Sequence, residues 1–175
     1  MVDPGLYVAT WGYRFMNSFR LGRLHFGLCG GMALTSLRAY KNDQSLQAKR
    51  PGKKETLWLI VWQLWSLVKD LALWQVLVGT FREDGYLRGT TVWEVERLTR
   101  MLLAHGPQRV LLIGGSGWRT LTKSHQVVAI NFTRRPDGSV DIVLYNPNCV
   151  GAPTRLDGNT LIETTGHKWR GLMVA

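Results

Sequence analysis

Apolar positions along the chain change their spacing from segment to segment, and each change marks an element. Trp11 to Phe19 alternates aromatic with small or polar residues, which predicts an extended arm, or an edge strand with one buried face, leading up to Leu28. From Gly30 the spacing turns helical. Met32, Leu34, Leu37 and Tyr40 form a stripe, and Lys41-Asn42-Asp43 breaks it. A polar, basic stretch follows to Lys54. Glu55 to Phe81 is the most apolar region and predicts a helix with a broad buried face, kinked or broken near Lys69-Asp70. Arg82 to Gly85 reads as a loop. Thr91-Val92-Trp93-Glu94 has the S/T-x-x-E form of a capping box, opening a helix to about His105 that Gly106-Pro107 ends.

Past Gly106 the pattern becomes that of strands. Arg109 to Ile113 is a short strand, fully apolar after its arginine, and Gly114-Gly115-Ser116-Gly117 follows as a turn that lets backbone pass close by. Those glycines match neither phosphate-binding pattern, G-x-x-x-x-G-K-[ST] or a helix-opening G-x-G-x-x-G. Val127 to Phe132 and Val140 to Tyr145 are two β-rich runs around Pro136-Asp137-Gly138, a strong hairpin signal. Gly171 to Val174 supplies a closing strand. The expected fold class is α+β, as one domain over 1–175: an aromatic arm 1–28, a helical part 29–105 and a β part 108–175.

Charge changes this picture little. The net charge is +10, from 22 Lys and Arg against 12 Asp and Glu, which favours acidic partners. The basic residues are scattered, however, and the tightest cluster, Lys49 to Lys54, sits in a loop without a nucleic-acid motif. Specific nucleic-acid binding is not expected. Of eight tryptophans, four fall between Trp58 and Trp74, a composition that also suits a membrane interface. A membrane span needs ~20 predominantly apolar residues, and Gln63, Lys69, Asp70 and Gln75 interrupt this stretch. A helix packed in a globular domain is the first reading, and surface association the second. The start, Met1-Val2-Asp3-Pro4-Gly5, lacks the basic and apolar regions of a signal peptide, so a cytoplasmic location is expected. Two cysteines, Cys29 and Cys149, make neither a disulfide framework nor a zinc pattern, and no cofactor or metal is expected.

Cys29 stands where the Gly-rich segment enters the first predicted helix. Unpaired N–H groups and the partial positive charge of a helix start favour thiolate there, although a buried, inert cysteine fits the same position. His125 precedes the first hairpin strand and Asn146 follows the second. Reflection through Pro136 carries His125 to Pro147, so Asn146 and Asn148 flank the facing position, where Cβ atoms are ~5 Å apart. An Asn carboxamide at that distance can hold one imidazole nitrogen and free the other for a nucleophile. Each residue alone has an ordinary alternative: a polar strand end for His125, a turn-forming Asn-Pro for Asn146.

Three blocks, Gly27-Leu28-Cys29-Gly30-Gly31-Met32, His125-Gln126-Val127-Val128-Ala129 and Leu144-Tyr145-Asn146-Pro147-Asn148, resemble the motif blocks of papain-like cysteine peptidases. They look most like bacterial branches with an H-x-V strand and a Y-D-P-N ending. The arm from Trp11 to Phe19 also resembles the segment before the cysteine in bacterial proteins sharing those blocks. The resemblance does not extend to the Trp-rich region. It implies a papain-like fold, with the Cys-bearing helix packed on a C-terminal antiparallel sheet, and a Cys29–His125–Asn146 triad acting on a peptide or other acyl or amide substrate. The alternative is the same fold kept as a silent binding module. Two departures stand out: Asn146 replaces the Asp of those branches, and no Gln a few residues before Cys29 supplies an oxyanion donor. Asn17 and the Trp11 indole are the substitutes available. Gly30, Gly31, Gly115, Trp118, Asn148 and Cys149 are candidates for lining the cleft. Cys149 is open to three roles: an inert neighbour, a redox partner of Cys29, or a metal ligand with Cys29 and His125.

Overall fold

The computed structural model describes residues 2–15, 17, 19–21, 24–26, 28–46, 52–69, 78–117 and 123–175. In chain order the elements are α1 (Pro4–Trp11), β1 (Phe19–Leu21), β2 (Leu24–Phe26), α2 (Cys29–Lys41), α3 (Lys53–Lys69), α4 (Asp84–His105), β3 (Gln108–Ile113), β4 (His125–Arg134), β5 (Val140–Tyr145), β6 (Thr154–Asp157) and β7 (Gly171–Val174). Asp70, and with it the break expected beside Lys69, lies outside the described residues, as does Trp118.

The fold is α+β, with helices on both faces of a five-stranded antiparallel sheet of order β6-β5-β4-β3-β7. Strand alternation divides the core. Val110 and Leu112 of β3, Val127 and Ala129 of β4 and Ile142 and Leu144 of β5 meet Val95, Leu98 and Leu102 of α4. Val128, Ile130 and Tyr145 point the other way, against Tyr7 and Val8 of α1 and Ala33 and Leu37 of α2. This is why Val110 to Ile113 of β3 form an unbroken apolar run: all six residues of the strand are buried. The expected helical part is thus not one layer. α2 covers one face of the sheet and α4 the other.

Two predicted elements change. The start of the chain is not an irregular arm but a helix: Asp3 Oδ1 accepts from the Leu6 N–H at 2.7 Å, and Pro4 occupies the first turn. Alternation in Trp11 to Phe19 hid that signal. Likewise Thr91-x-x-Glu94 opens no helix, because α4 already begins at Asp84, inside the expected loop. The two side chains cap a strand instead. Thr91 Oγ1 accepts from Leu172 N–H at 3.2 Å and Glu94 Oε2 from Val174 N–H at 2.9 Å. Residues one helical turn apart match N–H groups two residues apart on β7, and so occupy the open side of an edge strand. The predicted stop holds: Gly106 follows α4 with φ +72°, a conformation glycine adopts without strain.

α3 packs on α2 rather than on the sheet. Among its described side chains Leu59 is buried, whereas Leu57, Trp58, Val61 and Trp65 are exposed. The contact requires Gly31, whose added Cβ would lie 2.3 Å from the Leu59 carbonyl oxygen. Gln63, the polar interruption of the apolar run, accepts from the Gly31 N–H at 2.9 Å and satisfies a donor of the first turn of α2. Gly31→Ala is expected to force the two helices apart and to lower unfolding free energy by about 1–3 kcal/mol, read from urea denaturation. A midpoint equal to the unsubstituted protein's would show that the helices do not meet this closely.

Candidate active site

Cys29 is the first residue of α2 and only 9% exposed. Gly30 is buried beside it, and the N–H groups of Gly30 and Gln126 act on the sulfur to lower its pKa. Both N–H groups are of the kind a helix start or strand end leaves available, and they favour thiolate.

His125 begins β4, paired with Leu112 of β3. The glycine turn after β3 sets where that strand starts. A Cβ on Gly114 would fall 2.1 Å from the Lys123 carbonyl oxygen, so only glycine lets the backbone pass two residues before His125. Gly115, a cleft-lining candidate, accepts from Arg170 Nη1 at 2.7 Å through its carbonyl and anchors this turn to the segment before β7.

The hairpin that carries Asn146 turns about Asp137 rather than Pro136, since Arg134 faces Val140. A bulge between Ala129 and Asn131 then shifts the register, so that Val128 faces Tyr145. The ladder stops there, just short of the site. Beyond it, His125 Nε2 and Asn146 Oδ1 lie 2.7 Å apart, as the sequence spacing anticipates. Asn146 Oδ1 also accepts from the Asn148 N–H at 2.9 Å, and Asn146 Nδ2 donates to Glu163 Oε1 at 2.6 Å. With the amide oriented in this way, Nε2 carries its hydrogen and Nδ1 is the nitrogen left for the sulfur, whose charge acts on His125. His125, Asn146 and Glu163 are respectively 5%, 3% and 2% exposed.

Electrostatics follow from this packing. Burial pushes the Cys29 thiol up, but the adjacent His125 charge, its hydrogen bond and the Gln126 and Gly30 N–H groups outweigh burial and bring it below the ordinary value. Burial pushes His125 down, and the Cys29 charge, the hydrogen bonds to Cys29 and Asn146, and the Glu163 charge together raise it. Opposite shifts on two groups that act on each other favour a thiolate–imidazolium pair.

Of the two oxyanion candidates, one is at the site. Asn17 Oδ1 accepts from the Leu28 N–H, and Asn17 Nδ2 donates to Asn148 Oδ1 at 2.9 Å. It joins the residue before Cys29 to the segment after Asn146, with a second Nδ2 hydrogen available. Trp11 is not there. Its ring packs edge-on against Tyr40 at 5.1 Å, in the α1 core cluster, and Tyr40 lies about 16 Å along α2 from Cys29. Gly31 is also not in a cleft, since it faces α3. Asn148 lines the site through Asn17.

Cys149 donates its N–H to the Asn146 carbonyl at 2.8 Å, and burial followed by the Glu163 charge pushes its thiol up, opposite to Cys29. Both cysteines are free. Among the described residues no group of three or more His, Cys, Asp and Glu is arranged to hold a metal ion. Nor is any helix among them long and apolar enough to cross a membrane.

Two site residues escape sequence reasoning. Glu163 sits in a Thr- and Gly-containing stretch that predicts no element. Trp169 stacks on the His125 ring, with centroids 6.0 Å apart and planes 10° apart. No protein-family model, curated protein or solved structure matches the chain.

Proposed function

We propose that the chain is a thiol hydrolase or acyltransferase of papain-like fold. The observation that carries this reading is the buried line of Cys29, His125 and Asn146, with the imidazole held at 2.7 Å by an amide whose orientation is itself fixed. A helix bearing the thiol against an antiparallel sheet bearing the imidazole and amide is the layout that the three sequence blocks resemble. In this reading the Cys29 thiolate attacks an acyl carbonyl of a peptide or other amide, forming a thioester as the carbon–nitrogen bond breaks. The His125 imidazolium gives its proton to the departing amine, and the neutral imidazole then takes one from the water or acceptor that releases the acyl group. The Cys29 N–H and the second Nδ2 hydrogen of Asn17 are the donors offered to the oxyanion. A second reading, the same fold with a silent site, is favoured by the low exposure of the Cys29 residue.

An activated ester tests the first against the second. With p-nitrophenyl acetate at neutral pH, the protein is expected to accumulate a hydroxylamine-labile acetyl group on the Cys29 peptide. Cys29→Ala and His125→Ala should not. Equal acetylation with and without His125 would remove the catalytic reading and leave the binding module.

A further inference from the structure

We infer that Glu163 is the fourth member of the Cys29–His125–Asn146 line, a positioning residue that supplies through Asn146 the negative charge that a carboxylate at position 146 would otherwise provide. The inference rests on the thiol reading above and extends it. Its basis is a closed set of hydrogen bonds. Glu163 is 2% exposed, and its Oε1 takes the Asn146 Nδ2 hydrogen at 2.6 Å. Its backbone is held as well: the Glu163 N–H donates to the His167 carbonyl at 2.9 Å, and the residue bridges to Leu156 at the sheet edge. A carboxylate is acceptor-only, so it cannot receive the amide oxygen of Asn146 in place of the amide nitrogen. With the carboxylate in place, Oδ1 must face His125. Asn146 then relays a charge it does not carry.

This arrangement explains the residue type at 146. An Asp there would set a second carboxylate against Glu163 at the same spacing, and two such groups cannot both ionise in a buried site. Asn at 146 and Glu at 163 are therefore one solution, and Asp at 146 with a neutral partner at 163 is its mirror. The titratable groups around the pair are Cys29 and His125 themselves, Cys149, which feels Glu163, and His167, whose ring lies 4.1 Å from Trp169.

The experiment uses the full chain with Cys149→Ser, so that only Cys29 is alkylated, and measures the iodoacetamide rate against pH together with the thermal midpoint. Glu163→Gln is expected to move the thiolate midpoint up by about one pH unit, because one charge close to the imidazolium is lost. Asn146→Asp alone should disturb the midpoint and lower the melting temperature, since it creates the carboxylate pair. The double variant Asn146→Asp/Glu163→Gln should restore both, with the introduced carboxylate accepting from His125 and from the introduced amide. A structural filler would show no such restoration. A Glu163→Gln profile that superimposes on the parent's overturns the inference, as does a double variant no better than the sum of the singles. The two readings fail separately. A parent protein whose Cys29 reactivity ignores His125→Ala loses the thiol reading itself, whereas one that needs His125 but not Glu163 loses only this extension.

Discussion

Cys29 of the His125→Ala protein is expected to alkylate about a hundred times faster at pH 8 than at pH 6, while the unsubstituted protein changes less over that range. The reason is the origin of the charge. In the intact site His125 leads the groups that hold the thiol down, and burial opposes them. Without the imidazole, burial remains and the thiol returns to the ordinary range or above it. Its thiolate fraction then rises ~10-fold for each pH unit below ~8.5. The direction of the pH effect follows from the paired shifts. The thiol, lowered, ionises early as pH rises, and the imidazole, raised, gives up its proton late. Each shift widens the pH range in which thiolate and imidazolium coexist. Iodoacetamide kinetics followed on the Cys29 peptide give both limbs. At pH 6 the variant should be slower by at least about tenfold, even though the more basic thiolate is intrinsically the better nucleophile. A flat profile for both proteins would mean that some other group sets the charge on the sulfur.

How much of this could be read from residues alone depends on range. Cys29, His125 and Asn146 were legible because strong local signals sit beside them: a glycine-rich entry to a helix, and a hairpin whose turn residues fix which positions meet. The hairpin arithmetic was off only by the bulge and the turn centre, and it still brought His125 to Asn146. Glu163 and Trp169 were not legible. Each is placed by a loop after β6 that has neither helical nor strand period, and loop geometry is set by tertiary packing. The same limit explains Thr91 and Glu94. Their spacing satisfies a capping box, but the physics of an acceptor one turn from another acceptor suits any pair of open N–H groups, and β7 supplied them. It also explains Trp11, whose place before the cysteine offered its indole to an oxyanion and whose place in α1 turned it into the core. At Asp3-Pro4 the local signal was sufficient and the alternation downstream outweighed it. Gly31 shows the reverse case. Glycine beside a candidate nucleophile suggests room for a substrate, yet here it makes room for a helix.

Trp169→Ala is expected to be the most destabilising of these substitutions, at about 3–5 kcal/mol in urea unfolding. The indole is 6% exposed and belongs to the core cluster shared by α4 and the sheet. On one side it stacks on His125. On the other it lines a cavity of about 560 Å³ between α4 and the loop after β6, with Arg88 and Lys168 also at its wall. It therefore borders both that space and the ring that makes the His125–Asn146 hydrogen bond. Removing it admits water to a bond that is strong because it is dry. A downfield NMR signal from the His125 Nε2 hydrogen, protected from exchange in the parent protein, should broaden beyond detection in Trp169→Ala. Trp169→Phe separates packing from hydrogen bonding. The indole Nε1 is buried and has no hydrogen-bond partner among the described residues, so replacing it removes an unpaired donor while keeping an aromatic plane over the imidazole. The phenylalanine variant should keep the protected signal and lose no more than about 1–2 kcal/mol for the smaller ring. Should both variants retain the signal, the shield over His125 lies elsewhere than at Trp169.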